Sequence, residues 1–298
     1  MQQFRNTDQL RAYMKKEANR LGISIQNAYS TYISRLFLEK LSKYNNGMIL
    51  VKGSSAETAY LGRLVRGITD VDLAVIGSID ANMDLIKTFT QDETVSDFHF
   101  KLVREPKITQ TGIHKMSFEA QLDKTRHLLG VDFQENYDRL IEREVRMMPQ
   151  IFEGDDEFPV MAPSFEEYLA EKLCIILESN KLDVLNTRVK DFYDIYELHG
   201  GKYDPEKLTK YFGRMLALRG KISLEEASTI YLDQEFVEKH KAVWERAKEK
   251  YDFLDDGIDM YGAVYYARAV LREELQKNGA EMPSYMKPRQ YIRQYRRQ

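Results

Sequence analysis

The sequence lacks the features of secreted and membrane proteins. It has a single cysteine, Cys174, so no disulfide can form within the chain. No run approaches the roughly 20 apolar residues that span a bilayer, and the N-terminus has no apolar core typical of a signal peptide. The net charge of −3 gives no overall bias toward nucleic acid. We therefore expect a cytoplasmic protein with no membrane association.

Two common kinds of site are also missing from the sequence. The five histidines show no HxxxH spacing, and one cysteine cannot complete a structural zinc site. No GxxxxGK(S/T) motif occurs, which argues against a P-loop ATPase. Cys174 falls on a predicted helix and is expected to be a packing residue rather than a nucleophile. Any catalysis must therefore depend on other side chains.

The sequence pattern divides the chain into three parts. Of its 298 residues, 43% are apolar and 31% are charged, as in globular proteins. Residues 1–45 have helical periodicity and are expected to pack on the part that follows. Residues 46–155 mix strands and helices, which predicts an α/β (α+β) domain with a mixed sheet. Residues 156–298 are largely helical and are predicted to form a C-terminal domain with a basic tail. The expected strands are 48–51, 70–76, 99–103, 113–121 and 127–133.

Two carboxylates interrupt the apolar strand DVDLAV. Because side chains alternate along a strand, Asp70 and Asp72 should point the same way, with Val71 and Leu73 in the core. Adjacent carboxylates repel each other, and burying them without compensation is costly. A divalent cation removes that conflict, and Mg²⁺ prefers a few carboxylates together with substrate phosphates. The pair therefore predicts a site for Mg²⁺, with two ions expected.

A Gly-Ser-Ser turn precedes this strand. Gly53, Ser54 and Ser55 lie between a predicted strand and a predicted helix, where backbone N–H groups can approach a phosphate closely. Carboxylates beside a phosphate site are what two-metal nucleotidyl transfer requires. The alternative is a polar pair close to a turn, since an isolated Asp-x-Asp often occurs by chance.

This order of motifs resembles the polymerase-β-like nucleotidyltransferase superfamily. The resemblance implies a nucleotidyltransferase fold for residues 46–155 and a third carboxylate from a later strand, which helps to hold a metal or to deprotonate the attacking hydroxyl. Asp132, at the end of the apolar strand HLLGVDF, is the best candidate. Asp123 and Asp138 are the alternatives, but both stand in polar surroundings.

Two further charges fall on apolar helix faces. Lys172 lies within the apolar arc of the helix SFEEYLAEKLCIILE, and Asp191 lies on the apolar side of TRVKDFYDIYELHGG. Lys172 could extend its amino group to water, or it could point into a cleft toward a triphosphate. The lysine and the aspartate could also pair, since each would help the other to be tolerated in the interior.

With these helices included, the chain is similar to the AbiEii/AbiGii family of nucleotidyltransferase toxins over about residues 50–200. The resemblance implies a toxin of a toxin–antitoxin or abortive phage-defence system that transfers a nucleotide from an NTP, GTP or CTP, to RNA. The implied acceptor is the tRNA 3′ end, and the implied partner is an antitoxin encoded nearby. Lys172 and Asp191 match the family's later active-site motifs, with Lys172 on the nucleotide phosphates.

The sequence departs from the family pattern at two places. The turn is Gly-Ser-Ser where Gly-Gly-Ser or Gly-Gly-Thr is common, and Ile68 stands where many members have Ser or Thr, although Thr69 follows. Arg66 keeps a position where an arginine is often found, and we expect it to help bind the nucleotide. The departures concern nucleotide preference, and the metal chemistry is expected to be kept.

Several alternatives remain open at this point. The segment 281–298 carries basic residues interleaved with tyrosines, so it could bind RNA, or it could be a solvated helix or a partner-docking tail. The acceptor could instead be a small molecule, as for antibiotic-modifying members of the superfamily, or a protein. The chain could also be a non-catalytic nucleotide- or RNA-binding module of the same fold.

Overall fold

The computed structural model describes residue 4 and residues 6–91, 98–109, 112–135, 142–181, 185, 187–253 and 257–281. It contains two compact units. The first consists of Met1–Pro163 with Tyr251–Leu254, and the second consists of Ser164–Lys250 with Asp255–Gln298. None of the described helices is long and apolar enough to cross a membrane.

The first unit combines helices with two sheets. Its elements are α1 (Thr7–Leu21), α2 (Ile25–Tyr44), β1 (Ile49–Lys52), α3 (Gly53–Leu61), β2 (Asp70–Val75), a 3-10 helix (Asp80–Asn82), α4 (Met83–Gln91), β3 (His99–Ile108), β4 (Ile113–Leu122), β5 (Thr125–Gln134), β6 (Arg143–Met148) and β7 (Phe158–Pro163). The main sheet has the order β1-β2-β5-β4-β3, and β6 pairs with β7 in a second sheet.

The main sheet is mixed, as predicted. Strands β2 and β5 run parallel, whereas the other three neighbouring pairs are antiparallel. One face of the sheet forms the core with α2 and α4. Phe37 of α2 contacts Phe89 of α4, Phe100 of β3 and Phe118 of β4, with ring centroids 5.1–5.5 Å apart. Because these aromatic residues pack in the core, the polar residues that alternate with them on β3, β4 and β5 lie on the opposite face of the sheet.

Two parts of this unit differ from the sequence-based expectation. The segment 156–163 was expected to belong to the helical domain, but β7 lies there and pairs with β6 from Arg143↔Pro163 to Met148↔Phe158. Strand β6 was not predicted because its apolar residues Val145 and Met147 are exposed, so its alternation does not mark a core face. Pairing between the two strands decides their structure.

A short segment from late in the chain completes the first unit. The Asp252 carboxylate accepts hydrogen bonds from the Ser24 backbone N–H (2.6 Å) and the Asn27 amide (2.7 Å). The backbone of Gly67 donates to the Tyr251 carbonyl at 2.9 Å. The sequence does not reveal this return, because the contacts are polar and specific to the tertiary fold.

The second unit is helical, as predicted. It contains α5 (Phe165–Asn180), α6 (Lys190–His199), α7 (Pro205–Arg219), α8 (Leu224–Ser228), α9 (Gln234–Tyr251, whose last residue lies in the first unit) and α10 (Met260–Lys277). Helix α5 packs against α7, and α6 packs against α10. Ser164 caps α5, because its hydroxyl accepts from the Glu167 backbone N–H at 3.4 Å.

Candidate active site

Four charged residues stand in one row across the main sheet. The strand register pairs Lys52 of β1 with Asp72 of β2, and Asp72 with Asp132 of β5. Asp132 in turn pairs with Lys115 of β4. Directly paired residues point to the same face of a sheet, and neighbouring strands lie roughly 4.8 Å apart. The two carboxylates are therefore neighbours, with a lysine on either side of the pair.

Asp70 lies on the same face, one step along β2. It is exposed, whereas Asp72 is half-buried and Val71 and Leu73 between and beyond them are buried. This alternation is the one expected for an Asp-x-Asp strand. Asp70 pairs with Gly130 of β5, which has no side chain, and its carboxylate accepts a hydrogen bond from the Thr69 hydroxyl at 3.2 Å. The sequence-predicted carboxylates Asp70, Asp72 and Asp132 thus share one face at the junction of β2 and β5.

The backbone of Gly53 lies directly against the Asp72 carboxylate. A Cβ atom at this position would be 1.9 Å from Asp72 Oδ2, and the φ angle of Gly53 is +58°. Only glycine combines this backbone conformation with such a close approach. Helix α3 begins at Gly53, so the carboxylate lies at the start of that helix, where the dipole favours negative charge.

Ser54 and Ser55 lie in the first turn of α3 rather than in a separate turn before it. The sequence placed them in a loop because Gly-Ser-Ser is a common turn sequence, but α3 already begins at Gly53, whose φ is positive. Both serines are buried, and the Ser55 hydroxyl has no hydrogen-bond partner among the described residues. The N–H groups of a first helical turn also lack helical acceptors.

Lys115 forms an ion pair with Asp132 of this row. Its Nζ is 2.5 Å from Asp132 Oδ2, and its side chain is about half exposed. The hydrogen bond to Asp132 raises the pKa of Lys115 above its ordinary value, and the charges of Asp132, Asp70 and Asp72 raise it further. Lys115 therefore stays charged and partly balances three carboxylates that repel one another.

The donor set of this face suits a hard divalent cation. Asp70, Asp72 and Asp132 offer carboxylate oxygens, and the buried Ser55 hydroxyl is a further oxygen close in sequence to Gly53. Within the described ranges, however, no group of three or more His, Cys, Asp or Glu side chains has the arrangement of a metal site. The residues fit Mg²⁺ by chemistry, and the metal role of each aspartate stays a prediction.

The alternatives for the third carboxylate have different positions. Asp123 lies in the turn between β4 and β5, where it accepts hydrogen bonds from the backbone and hydroxyl of Thr7. It is nine residues from Asp132, roughly 30 Å along an extended hairpin. Asp138 lies outside the described residues. Asp132 is the candidate that the register places beside Asp72.

Arg66 is buried, whereas a side chain that contacts a nucleotide is expected to be accessible. Its guanidinium is 3.7 Å from Glu57 and lies over the Tyr251 ring at 5.2 Å. These partners all belong to the first unit and give Arg66 a structural role. Its predicted contact with the nucleotide stays a prediction.

In the second unit, Lys172 pairs with two aspartates. Its Nζ is 2.9 Å from Asp191 Oδ1 and 2.7 Å from Asp194 Oδ2, and all three side chains are buried. Arg188 lies 3.3 Å from the other oxygen of Asp191. Of the alternatives that the sequence left open, the structure shows the pairing of lysine and aspartate. Asp194 is fully buried, and Lys172 compensates its charge.

The Asp191 carboxylate stays ionised in the interior. Burial is the largest single influence and raises the pKa of Asp191, and the charge of Asp194 raises it further, whereas the charge of Lys172 lowers it. Arg188 and the hydrogen bond from Lys172 act in the same direction, so the pKa of Asp191 lies below its ordinary value. The three residues form a preformed charged cluster that carries one excess negative charge before Arg188 is counted.

Three residues of these clusters were missed as site residues. Lys52 and Lys115 look like ordinary exposed lysines in sequence, since only the register places them beside Asp72 and Asp132. Asp194 carried a signal, because it follows Asp191 by three residues and so shares its helix face. The basic residues of the tail lie outside the described residues.

Comparison with known proteins gives one family match. The model of the family described as nucleotidyl transferase AbiEii toxin, type IV toxin–antitoxin system, matches residues 59–264. No curated protein matches the chain.

Two solved structures that the chain matches are distant in sequence. The crystal structure of JHP933 from Helicobacter pylori is 14% identical and has a TM-score of 0.48, covering 86% of this chain and 94% of that one. An antigenic nucleotidyltransferase-like protein from Paracoccidioides brasiliensis is 16% identical, with a TM-score of 0.37, covering 65% and 88% of the two chains.

Proposed function

Because this chain belongs to the AbiEii family of nucleotidyltransferase toxins of type IV toxin–antitoxin systems, we propose that it transfers a nucleoside monophosphate from an NTP to an RNA acceptor. Pyrophosphate is the other product. The sheet face that carries Asp70, Asp72 and Asp132 is the proposed active site. Family membership also implies a nucleotide substrate and an antitoxin partner.

One observation supports this proposal above the others. Asp72 and Asp132 come from strands separated by about 60 residues of sequence, yet they are paired neighbours on one face. The Gly53 backbone and the start of α3 lie against the same carboxylate. Carboxylates and the N-terminal end of a helix therefore meet at one place, as a triphosphate substrate with its counter-ion requires.

The residues of the chain have distinct proposed roles. The N–H groups of the first turn of α3, which contains Ser54 and Ser55, bind phosphate oxygens of the NTP. Asp132 orients the attacking hydroxyl of the acceptor and accepts its proton. Lys115 keeps Asp132 in position, because the two side chains are hydrogen-bonded.

Mg²⁺ is the proposed cofactor, with two ions expected. Asp70, Asp72 and Asp132 are the residues that would hold it. Bound there, it would supply charge neutralisation for the triphosphate and for the pyrophosphate that leaves. The nucleotide is proposed to be GTP or CTP.

The match to the family's later motifs gives Lys172 and Asp191 proposed roles as well. Asp191 and Asp194 hold the Lys172 ammonium in one geometry. We assign Lys172 to the phosphates of the nucleotide and Asp191 to its positioning.

The cellular setting follows from the family and is also proposed. The acceptor is tRNA, at its 3′ end, and modification there blocks aminoacylation. An antitoxin encoded nearby counteracts the enzyme in the cytoplasm, and the pair acts in defence against phage.

The proposal is tested by labelling. The protein is incubated with each α-labelled NTP in turn, with Mg²⁺ and total RNA, and the products are separated by size. We expect label on a tRNA-sized band with one preferred nucleotide, and no label after Mg²⁺ is chelated. No transfer to RNA with any of the four nucleotides would overturn the RNA-transferase proposal.

A matched pair of variants controls the labelling experiment. Asp72→Asn removes a charge of the proposed site and should abolish labelling. Asp84→Asn makes the same change at an exposed position of α4, away from this sheet face. Labelling by Asp84→Asn should match the wild type, so a loss in both variants would indicate a general effect of surface charge.

A deletion distinguishes an RNA acceptor from a small-molecule acceptor. If RNA is the acceptor and the basic tail helps to hold it, removing residues 281–298 should weaken RNA labelling. Unchanged activity on every RNA tested, together with labelling of a small metabolite fraction, would favour the alternative.

A further inference from the structure

The open face of the main sheet continues from the aspartates into a basic area. The strand register places Arg104 opposite Ser117, Lys101 opposite Glu119 and Lys107 opposite Lys115. Ser117 and Glu119 pair in turn with Gly130 and Leu128 of β5, on the face of Asp132. These positions, together with Arg126 opposite Gln121, form what we call the basic sheet face: Lys101, Arg104, Lys107, Lys115, Ser117, Glu119, Arg126, Leu128 and Gly130.

The charge of this face is strongly positive although the whole chain has a net charge of −3. Its positions hold five basic residues and one acidic residue, Glu119, and Asp132 lies beside Lys115 on the same face. Lys101, Arg104, Lys107 and Arg126 are exposed to solvent, as is Lys115. The other face of the same strands carries buried residues such as Phe118 and Val131. The basic residues are therefore concentrated on the solvent side.

One pair on this face has an energetic cost that an anion would relieve. Lys107 and Lys115 are directly opposite on neighbouring strands, and like charges at such positions destabilise a sheet. Asp132 balances the charge of Lys115. Lys107, in contrast, shares β3 with Arg104 and Lys101, so positive charges follow one another along that strand. A polyanion lying across the strands would lower this repulsion. The centre of the face is low, because Ser117 and Gly130 have small side chains or none.

We propose that the basic sheet face binds the phosphate backbone of the RNA acceptor and leads its end to Asp72 and Asp132. This inference rests on the proposed function. From Lys101 to Lys107 the face extends roughly 20 Å along β3, enough for several nucleotides. It ends at Lys115, which contacts the proposed reaction centre through Asp132. Leu128, 54% exposed, offers an apolar contact to a base or ribose.

Binding is tested apart from catalysis with a labelled single-stranded RNA of mixed sequence, about 12 nucleotides long. The triple variant Lys101→Gln, Arg104→Gln, Lys107→Gln removes three charges of the face and leaves Lys115 and the aspartates in place. We expect RNA affinity to fall about 10-fold or more. The slope of log K against log salt should fall by about 2, since each phosphate contact to a single strand contributes roughly 0.7.

A control variant removes the same number of charges elsewhere in the first unit. Arg11→Gln, Lys15→Gln and Lys87→Gln lie on α1 and α4 and are exposed. This triple control variant should bind the RNA with the same affinity and the same salt dependence as the wild type. Equal affinity and slope for wild type and the Lys101, Arg104, Lys107 variant would overturn the inference, and so would a wild type that does not bind the RNA.

A crosslinking experiment locates the RNA directly. The natural Cys174 is buried, so a photo-crosslinker can be attached selectively to an introduced cysteine. Ser117→Cys places it in the middle of the basic sheet face, and Thr88→Cys places it on α4, which packs on the core side of the sheet. Crosslinking to RNA from position 117 and not from position 88 is expected, and the reverse result would overturn the inference.

The two proposals fail in different ways. If the wild type binds and crosslinks RNA at position 117 but labels no RNA with any NTP, the proposed reaction is wrong and the RNA surface stands. If it labels RNA while the Lys101, Arg104, Lys107 variant binds and labels as well as wild type, the reaction stands and the surface is wrong.

Discussion

At the scale of single residues, Gly53 has the most demanding position in the proposed site. Its φ of +58° lies in the left-handed region, and the Asp72 carboxylate occupies the place where a side chain would begin. No other amino acid fits both conditions without moving Asp72 or the start of α3. This glycine therefore couples the beginning of a helix to the orientation of a proposed metal ligand.

Replacing this glycine should impair both stability and activity. Gly53→Ala forces a Cβ toward Asp72 Oδ2, and we expect a loss of about 1–3 kcal/mol in the free energy of unfolding. Because displacement of a reacting group by about 1 Å can cost 100-fold in rate, nucleotide transfer should fall by about that factor. Thermal unfolding and the labelling assay measure the two effects.

Gly62→Ala is the matched control for this change. Gly62 also has a positive φ, +66°, but nothing lies within 4 Å of its would-be Cβ. Because of backbone strain, the Gly62→Ala variant should lose about 1 kcal/mol in the free energy of unfolding, but it should keep its activity. Equal losses of activity in both variants would show that strain in α3, rather than contact with Asp72, is responsible.

At the scale of secondary structure, the parallel pairing of β2 with β5 builds the proposed site. The register sets Asp70, Val71 and Asp72 opposite Gly130, Val131 and Asp132. A shift by one residue would turn Asp132 to the core face and bring Val131 beside the carboxylates. The buried Val131 and Phe133 oppose such a shift, since both would move from the core to solvent.

Asp132 and Asp123 provide a comparison on a single hairpin. Both are aspartates of the β4–β5 hairpin, but Asp132 faces Asp72 and Asp123 binds Thr7 at the turn. We expect Asp132→Asn to lower the rate of nucleotide transfer at least about 100-fold, and Asp123→Asn to keep the rate. Rates measured at saturating NTP decide between them, and a large loss for Asp123→Asn with little for Asp132→Asn would reverse the assignment.

At the scale of the whole molecule, each unit has its own core and its own charged cluster. The first unit contains the aspartate face, and the second contains Lys172 with Asp191 and Asp194. The single tryptophan, Trp244, is buried in α9 of the second unit. Its fluorescence therefore reports on the unit that contains the Lys172 cluster.

This reporter allows a pH prediction for Asp191. Since its pKa is lowered in the folded protein, ionised Asp191 stabilises the fold at pH values above its ordinary pKa of about 3.9. That stabilisation is lost as the pH falls through the lower folded value. Asp191→Asn should lower the free energy of unfolding by about 3 kcal/mol at pH 7. This is near the low end of the values for a broken buried ion pair, because Asp194 still pairs with Lys172.

The pH series measures how this difference changes. Urea unfolding of wild type and Asp191→Asn, followed by Trp244 fluorescence, should give a constant difference from pH 7 to 5 and a smaller one below about pH 4. Lys190→Gln, a change on the same helix, is the control for α6. A difference that does not change with pH would show that the Asp191 charge does not contribute.

Local patterns in the sequence predicted much of the fold. Alternation marked β2, β4 and β5 to within about two residues at each end, and the two glycines that close TRVKDFYDIYELHGG marked the end of α6. Strands β6 and β7 and the return at Tyr251–Leu254 were not predicted. Their stability depends on partners distant in sequence, which local periodicity does not encode.

The sequence by itself determined which residues carry the proposed chemistry. Asp70, Asp72, Asp132, Lys172 and Asp191 stand out because a charge in an apolar pattern is costly without a partner. The tertiary structure alone decided what those partners are. It placed Asp132 beside Asp72, Lys115 beside Asp132 and Asp194 beside Lys172, because strand register and helix packing depend on contacts between segments far apart in the chain. The same register gathered five basic residues on one sheet face, which no linear pattern shows.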